Sequence, residues 1–124
     1  MERTRVLVVG FDGATWDLIT PLVEAGRLPT LGRLLGEGSS SVLRSIIPSH
    51  TAPAWSTMVT GVNPGWHGIT GFEQIALNDY GCRGDVTHSR VLAGQTWFDI
   101  LGQMGLRVAA IRVPMTYPAW ISTA

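Results

Sequence analysis

Two residues in this sequence pair a reactive oxygen with a telling position. Asp12 follows the apolar run 6–9 and Gly10, in an Asp12-Gly13 step. A carboxylate just past a strand end is a hard oxygen donor suited to a divalent cation. An aspartate before a glycine can equally bond the backbone of Gly13 or Ala14 in a turn. Thr51 lies in the loop 48–53, Pro-Ser-His-Thr-Ala-Pro, at the entry to an expected helix. A hydroxyl there meets unsatisfied backbone amides and the positive end of the helix dipole, which favour an alkoxide and bind anions. The plainer role for such a threonine is helix capping.

Other residues invite the same question and answer it less well. Ser49 and His50 could suggest a nucleophile and base, but neighbours in an extended loop point in different directions. His50, His67, His88, Asp79 and Asp85 are metal ligands in principle. Asp79 and Asp85 flank Gly81 and Gly84, which is turn chemistry, and His88 has no partner at a ligand-like spacing. Gly10-Phe11-Asp12-Gly13 supplies only part of a dinucleotide-binding turn and sets an acid where a pyrophosphate needs neutral backbone.

The elements that must position these residues follow from hydrophobic periodicity. Residues 6–9, Val-Leu-Val-Val, read as a strand buried on both faces. Thr15 caps an expected helix over 15–26, with Trp16, Ile19, Leu22 and Val23 on one stripe and Pro21 set to kink or break it. Residues 28–35 restart a shorter helix with Leu31, Leu34 and Leu35, which Gly36 and Gly38 suit as an end. Residues 40–47 alternate loosely as a strand. Pro53 fits the first turn of a helix to about Thr60, closed by Gly61. Turns and short, weak strands are expected over 63–88, a helix over 96–104, and a second apolar strand over 107–113 that Pro114 and Pro118 stop. Strand and helix in alternation predict an α/β fold, a mostly parallel sheet with flanking helices. The segment 114–124 follows a strand without a covering helix, so the architecture is expected to be truncated.

Composition narrows the function. The chain has 124 residues, 45% of them hydrophobic and 15% charged, which suits one packed domain. Nine basic and nine acidic residues cancel, so there is no electrostatic footprint for nucleic acid or an anionic membrane. The one cysteine, Cys82, can form neither an internal disulfide nor a multi-cysteine metal site. No apolar run approaches the roughly 18 residues of a membrane helix, and the start lacks a secretory signal. A soluble, cytoplasmic protein is the expectation.

The stretch Thr51-Ala52-Pro53-Ala54-Trp55-Ser56-Thr57-Met58-Val59-Thr60-Gly61-Val62-Asn63-Pro64-Gly65-Trp66-His67-Gly68-Ile69 resembles T-x-P-x-x-x-T-x-x-T-G-x-x-P-x-x-H-G-I of the type I phosphodiesterase/nucleotide pyrophosphatase branch of the alkaline phosphatase superfamily. The opening Val8-Val9-Gly10-Phe11-Asp12-Gly13 is similar to that family's first strand and metal-binding Asp-Gly, and Leu28-Pro29-Thr30-Leu31 to its next segment. The resemblance covers roughly residues 5 to 70. Val113-Pro114-Met115-Thr116-Tyr117-Pro118 again looks like a family strand end.

The resemblance implies that residues 1–124 are the amino-terminal part of a single phosphodiesterase-like catalytic domain with an alkaline phosphatase-like fold. Thr51 would attack phosphorus and form a phosphothreonine that water hydrolyses. Two divalent ions, zinc in first place with manganese or magnesium as alternatives, would activate the hydroxyl and neutralise phosphoryl charge. Asp12 would ligate one ion and Thr51 would touch or bridge them. The substrate would be a small phosphoester. His67, in the matched His-Gly-Ile turn, is expected to make a structural hydrogen bond.

Two departures matter. Nucleotide pyrophosphatase relatives carry an asparagine shortly after His-Gly-Ile, where this chain has Thr70-Gly71-Phe72. Family members also supply further Asp and His ligands from beyond residue 124, and a pair of ions needs several such groups. The isolated chain is therefore expected to be inactive. A non-catalytic truncated module that binds a partner is the alternative. Sulfatases and mutases of the superfamily use cysteine or serine at the nucleophile position, which Thr51 does not match.

Overall fold

The computed structural model describes residues 5–78 and 81–119, with the side chains of 75–78 and 81–83 excepted. Asp79 and the Cys82 thiol thus lie outside the described residues. Among these there are five α-helices, one short 3₁₀ turn and one two-stranded sheet. The chain divides into two compact units, Met1–Arg44 and Ser45–Ala124.

The first unit is a helix pair. Helix α1 spans Trp16–Glu24, and the Asp17 amide donates to the Thr15 hydroxyl at 3.4 Å as its cap. The expected stripe of Trp16, Ile19, Leu22 and Val23 is the less exposed side of this region. Pro21 was a reason to expect a kink or a break, yet the helix continues through it. One missing amide removes one hydrogen bond, and the flanking turns are retained. Helix α2 spans Pro29–Glu37 with Pro29 at its first position and Gly38 as its C-cap. The two helices approach closely at Gly32, where an added Cβ would stand 3.3 Å from a Val23 methyl. The Trp16 indole N–H donates to the Ser41 carbonyl at 3.3 Å.

The second unit holds the buried core. Helix α3 spans Thr51–Thr60 and α4 spans Pro64–His67. Strands β1, Glu73–Asn78, and β2, Gly81–Val86, form an antiparallel hairpin with Glu73 opposite Val86 and Asn78 opposite Gly81. A 3₁₀ turn over Ser89–Val91 follows, then α5, Trp97–Gln103. Thr96 caps α5 by a reciprocal box with Asp99: each backbone amide is met by the other residue's side chain. Ala52, Val59, Ile69 and Phe98 are buried apolar side chains, drawn from α3, α5 and the turn after α4. Ala52, Ser56 and Val59 recur at helical spacing, which gives α3 its inward stripe.

The sheet differs from expectation. Residues 6–9, 40–47 and 107–113, expected as strands, join no ladder among the described residues, and the one sheet there is antiparallel. Val6 is 82% exposed, Leu7 86% and Ile111 82%. An apolar β-branched run states a preference for burial, but a strand persists only where a neighbour supplies the ladder. The hairpin falls where short, weak strands were expected because its partner is adjacent in sequence. Arg112, inside the run 107–113, and Met115, just after Pro114, both adopt positive φ, 52° and 65°.

Candidate active site

Thr51 is the first residue of α3, and its N-cap is His50. A capping role for Thr51 is therefore replaced by His50 at the cap position, with Thr51 one step inside the helix. Pro53 brings no amide to this first turn, so the bond from the Ala54 amide to the His50 carbonyl, 3.0 Å, opens the helical ladder. Thr51 is partly exposed while Ala52 and Pro53 behind it are buried. Its side chain thus stands at a helix start whose positive dipole end suits an anion.

His67 closes the same motif from inside. It is fully buried, and its Nδ1 accepts from the Ile69 amide at 3.1 Å. Because the amide can only donate, Nδ1 carries no proton, and the neutral ring bears its hydrogen on Nε2. That nitrogen lies 3.0 Å from the Thr57 hydroxyl oxygen and donates to it. Burial pushes the His67 pKa below the ordinary 6.5, with the nearby Pro53 and His67 carbonyls opposing part of that shift. The expected structural hydrogen bond is what the ring makes. It pins α4 to α3 and sets the turn that follows α3.

The Ser56 hydroxyl is buried on the inward stripe of α3 with no hydrogen-bond partner among the described residues. Sequence reasoning did not single it out, since a serine in mid-helix looks like a solvated position. Nor did it pair Thr57 with His67, although both are fixed points of the quoted motif.

A cleft of about 330 Å³ opens in the second unit, lined by Pro48, His50, Thr70, Gly71, Phe72 and Glu73. The His50 and Phe72 rings meet edge to face, with centroids 5.0 Å apart at 68°. The His50 ring is thus engaged with Phe72. The floor of the cleft is fixed from Thr87, whose hydroxyl donates to the Gly71 carbonyl at 2.9 Å and whose amide donates to the Phe72 carbonyl at 2.8 Å.

Asp12 belongs to the first unit, in an exposed turn closed by Gly13 at φ 68°. That left-handed angle explains the glycine, because a Cβ there is strained even though nothing stands within 4 Å. His88 is the N-cap of the 3₁₀ turn and Asp85 sits exposed on β2. No group of three or more His, Cys, Asp or Glu residues that could hold a metal ion occurs among the described residues. Asp12 and Thr51 are oxygen donors of the right kind, but the described residues alone do not complete a two-ion centre.

No solved structure matches the chain. Residues 6–123 match the family model for type I phosphodiesterase / nucleotide pyrophosphatase. That span takes in the Asp12-Gly13 turn, the whole of α3 with its His67 clasp, and the loop after residue 113. On a match of this extent, the chain belongs to the type I phosphodiesterase/nucleotide pyrophosphatase family, a family of phosphodiester hydrolases.

Proposed function

We propose that this chain is the amino-terminal part of a metal-dependent phosphohydrolase that cleaves phosphodiester or nucleotide pyrophosphate bonds through a phosphothreonine at Thr51. The observation that supports this most is the position of Thr51: a partly exposed hydroxyl on the first residue of α3, inside the family span. In the whole enzyme the runs 6–9 and 107–113 become strands of a mostly parallel sheet. That arrangement gives the exposed apolar side chains their cover.

Thr51 Oγ1 forms a bond to phosphorus as the bond from phosphorus to the leaving oxygen breaks, and the hydroxyl proton leaves to a base or to that oxygen. The start of α3 faces the developing negative charge with its positive dipole end. Water then bonds to phosphorus, the threonine ester bond breaks, and Thr51 recovers its hydrogen. His67 and Thr57 take no part in these transfers; they hold the turn after α3 in place. Asp12 and Thr51 are proposed as two of the metal ligands, with the remaining donors supplied by parts of the enzyme outside these residues.

A non-catalytic module is the second reading, favoured by the incomplete ligand set. The test is acid-quench trapping on the metal-loaded, longest gene product with an aryl phosphodiester. The expected result is phosphate on Thr51 by mass spectrometry, a loss of at least about a thousandfold in turnover in Thr51→Ala, and reduced metal content in Asp12→Asn. Undiminished turnover in Thr51→Ala would remove the nucleophile assignment.

A further inference from the structure

Every polar group of His67 is engaged. Its amide donates to the Asn63 carbonyl at 3.2 Å and its carbonyl accepts from the Ala93 amide at 3.0 Å. Nδ1 accepts from the Ile69 amide, and Nε2 donates to the Thr57 hydroxyl. The residue is fully buried. A ring bonded at both nitrogens, on a backbone bonded at both ends, is held rigid and carries position from one segment to the next.

At the far end of this strut is α3. Thr57 lies in its second turn, and the Pro53 carbonyl, which the same ring faces, lies in its first. That first turn lacks the usual local support. His50 at the cap makes no side-chain hydrogen bond to the helix, and Pro53 has no amide to donate. A helix start without a side-chain cap is held more loosely. Thr51 opens this turn two positions before Pro53, with Ala52 and Pro53 buried behind it. Any tilt of the turn therefore moves the hydroxyl, and a misplacement of about 1 Å at a reacting atom costs about a hundredfold in rate.

We propose that Thr57 and His67 are positioning residues for the reaction: they brace the first two turns of α3 against the 67–69 turn and so aim the Thr51 hydroxyl, without touching substrate. This rests on Thr51 being the nucleophile. The test is rapid-quench, single-turnover kinetics on the metal-loaded, longest gene product with an aryl phosphodiester, following phosphate on Thr51. Thr57→Val keeps the shape of the side chain and removes the hydroxyl. His67→Asn keeps an oxygen at the place of Nδ1 for the Ile69 amide and has nothing at the place of Nε2. Each should slow phosphorylation of Thr51 at least about tenfold, with KM and burst amplitude unchanged, and Thr57→Ser should restore the rate. A merely structural role does the opposite: it lowers the folded fraction, hence the amplitude, and leaves the rate constant alone. A wild-type rate constant in Thr57→Val, or Thr57→Ser as slow as Thr57→Val, would overturn the strut; where His67→Asn does not fold, the two Thr57 variants decide. Wild-type protein that never carries phosphate on Thr51 would remove the nucleophile and the strut together, whereas phosphothreonine formed equally fast in Thr57→Val would remove the strut alone.

Discussion

His67 and Thr57 join the middle of α3 to the end of α4: the imidazole Nε2 lies 3.0 Å from the threonine hydroxyl while Nδ1 takes the Ile69 amide. Both residues are spent on each other, in the interior of the second unit. The family's His-Gly-Ile turn is here a structural fastener, and its ring is kept neutral by the way it is bonded.

That protonation state gives a pH dependence with a definite sign. The folded-state pKa of His67 is lowered from 6.5, chiefly by burial. Below 6.5 the unfolded chain takes up a proton that the folded chain resists, so stability falls as pH drops from 6.5 through the folded value and is fully present above 6.5. Thermal melts between pH 7.5 and 5, an interval of about one to two units around the ordinary value, should show Tm declining on the acid side. His67→Gln should flatten that slope. It should also cost about 1–3 kcal/mol at neutral pH, because the Ile69 amide loses its acceptor in the interior. An unchanged acid slope in His67→Gln would assign the effect to another group.

Two substitutions on α3 should move stability in opposite directions. Ser56 buries a hydroxyl that has no partner among the described residues, so Ser56→Ala removes a desolvated polar group and should stabilise by about 1 kcal/mol. Gly61 ends the helix at φ 72° with open space around it, so Gly61→Ala meets no clash and is charged only for the left-handed backbone. A loss of about 1 kcal/mol is expected. Urea denaturation of the two variants measures both; destabilisation by Ser56→Ala would mean that its hydroxyl has a partner in solution.

The exposed apolar runs predict association. Leu7, Leu43, Ile47 and Ile111 are each more than 80% exposed, at 86, 93, 92 and 82%. Surface of this kind, together with unpaired backbone, favours contact between copies. Sedimentation velocity at rising concentration should show self-association of the isolated chain. Leu7→Lys combined with Ile111→Lys should shift material toward monomer without altering far-ultraviolet circular dichroism. A monodisperse wild-type monomer with a cooperative melt would contradict the prediction.

What was local in the sequence was legible. Thr15 as a cap, Pro53 in a first turn, Gly61 as a helix end, Thr96 opening α5 and the stripe of Trp16, Ile19, Leu22 and Val23 all appear as read, because caps, fixed φ angles and a 3.6-residue period act within a few residues. Asp12 and Thr51 were legible as candidates for the same reason: each sits at a place defined by its immediate neighbours. The apolar runs 6–9, 40–47 and 107–113 told only of a wish for burial. Which backbone, if any, completes a ladder with them depends on residues far away in sequence, and so the parallel sheet could not be read from the runs themselves.

The sequence by itself determined the helix ends, the motif and the kinds of atoms available for chemistry. Only the tertiary structure decided that His67 is bonded to Thr57 and Ile69, that Ser56 is buried with no partner among the described residues, and that His50 leans on Phe72. Hydrogen-bond partnership and burial are properties of positions brought together by packing, and no spacing along the chain encodes them.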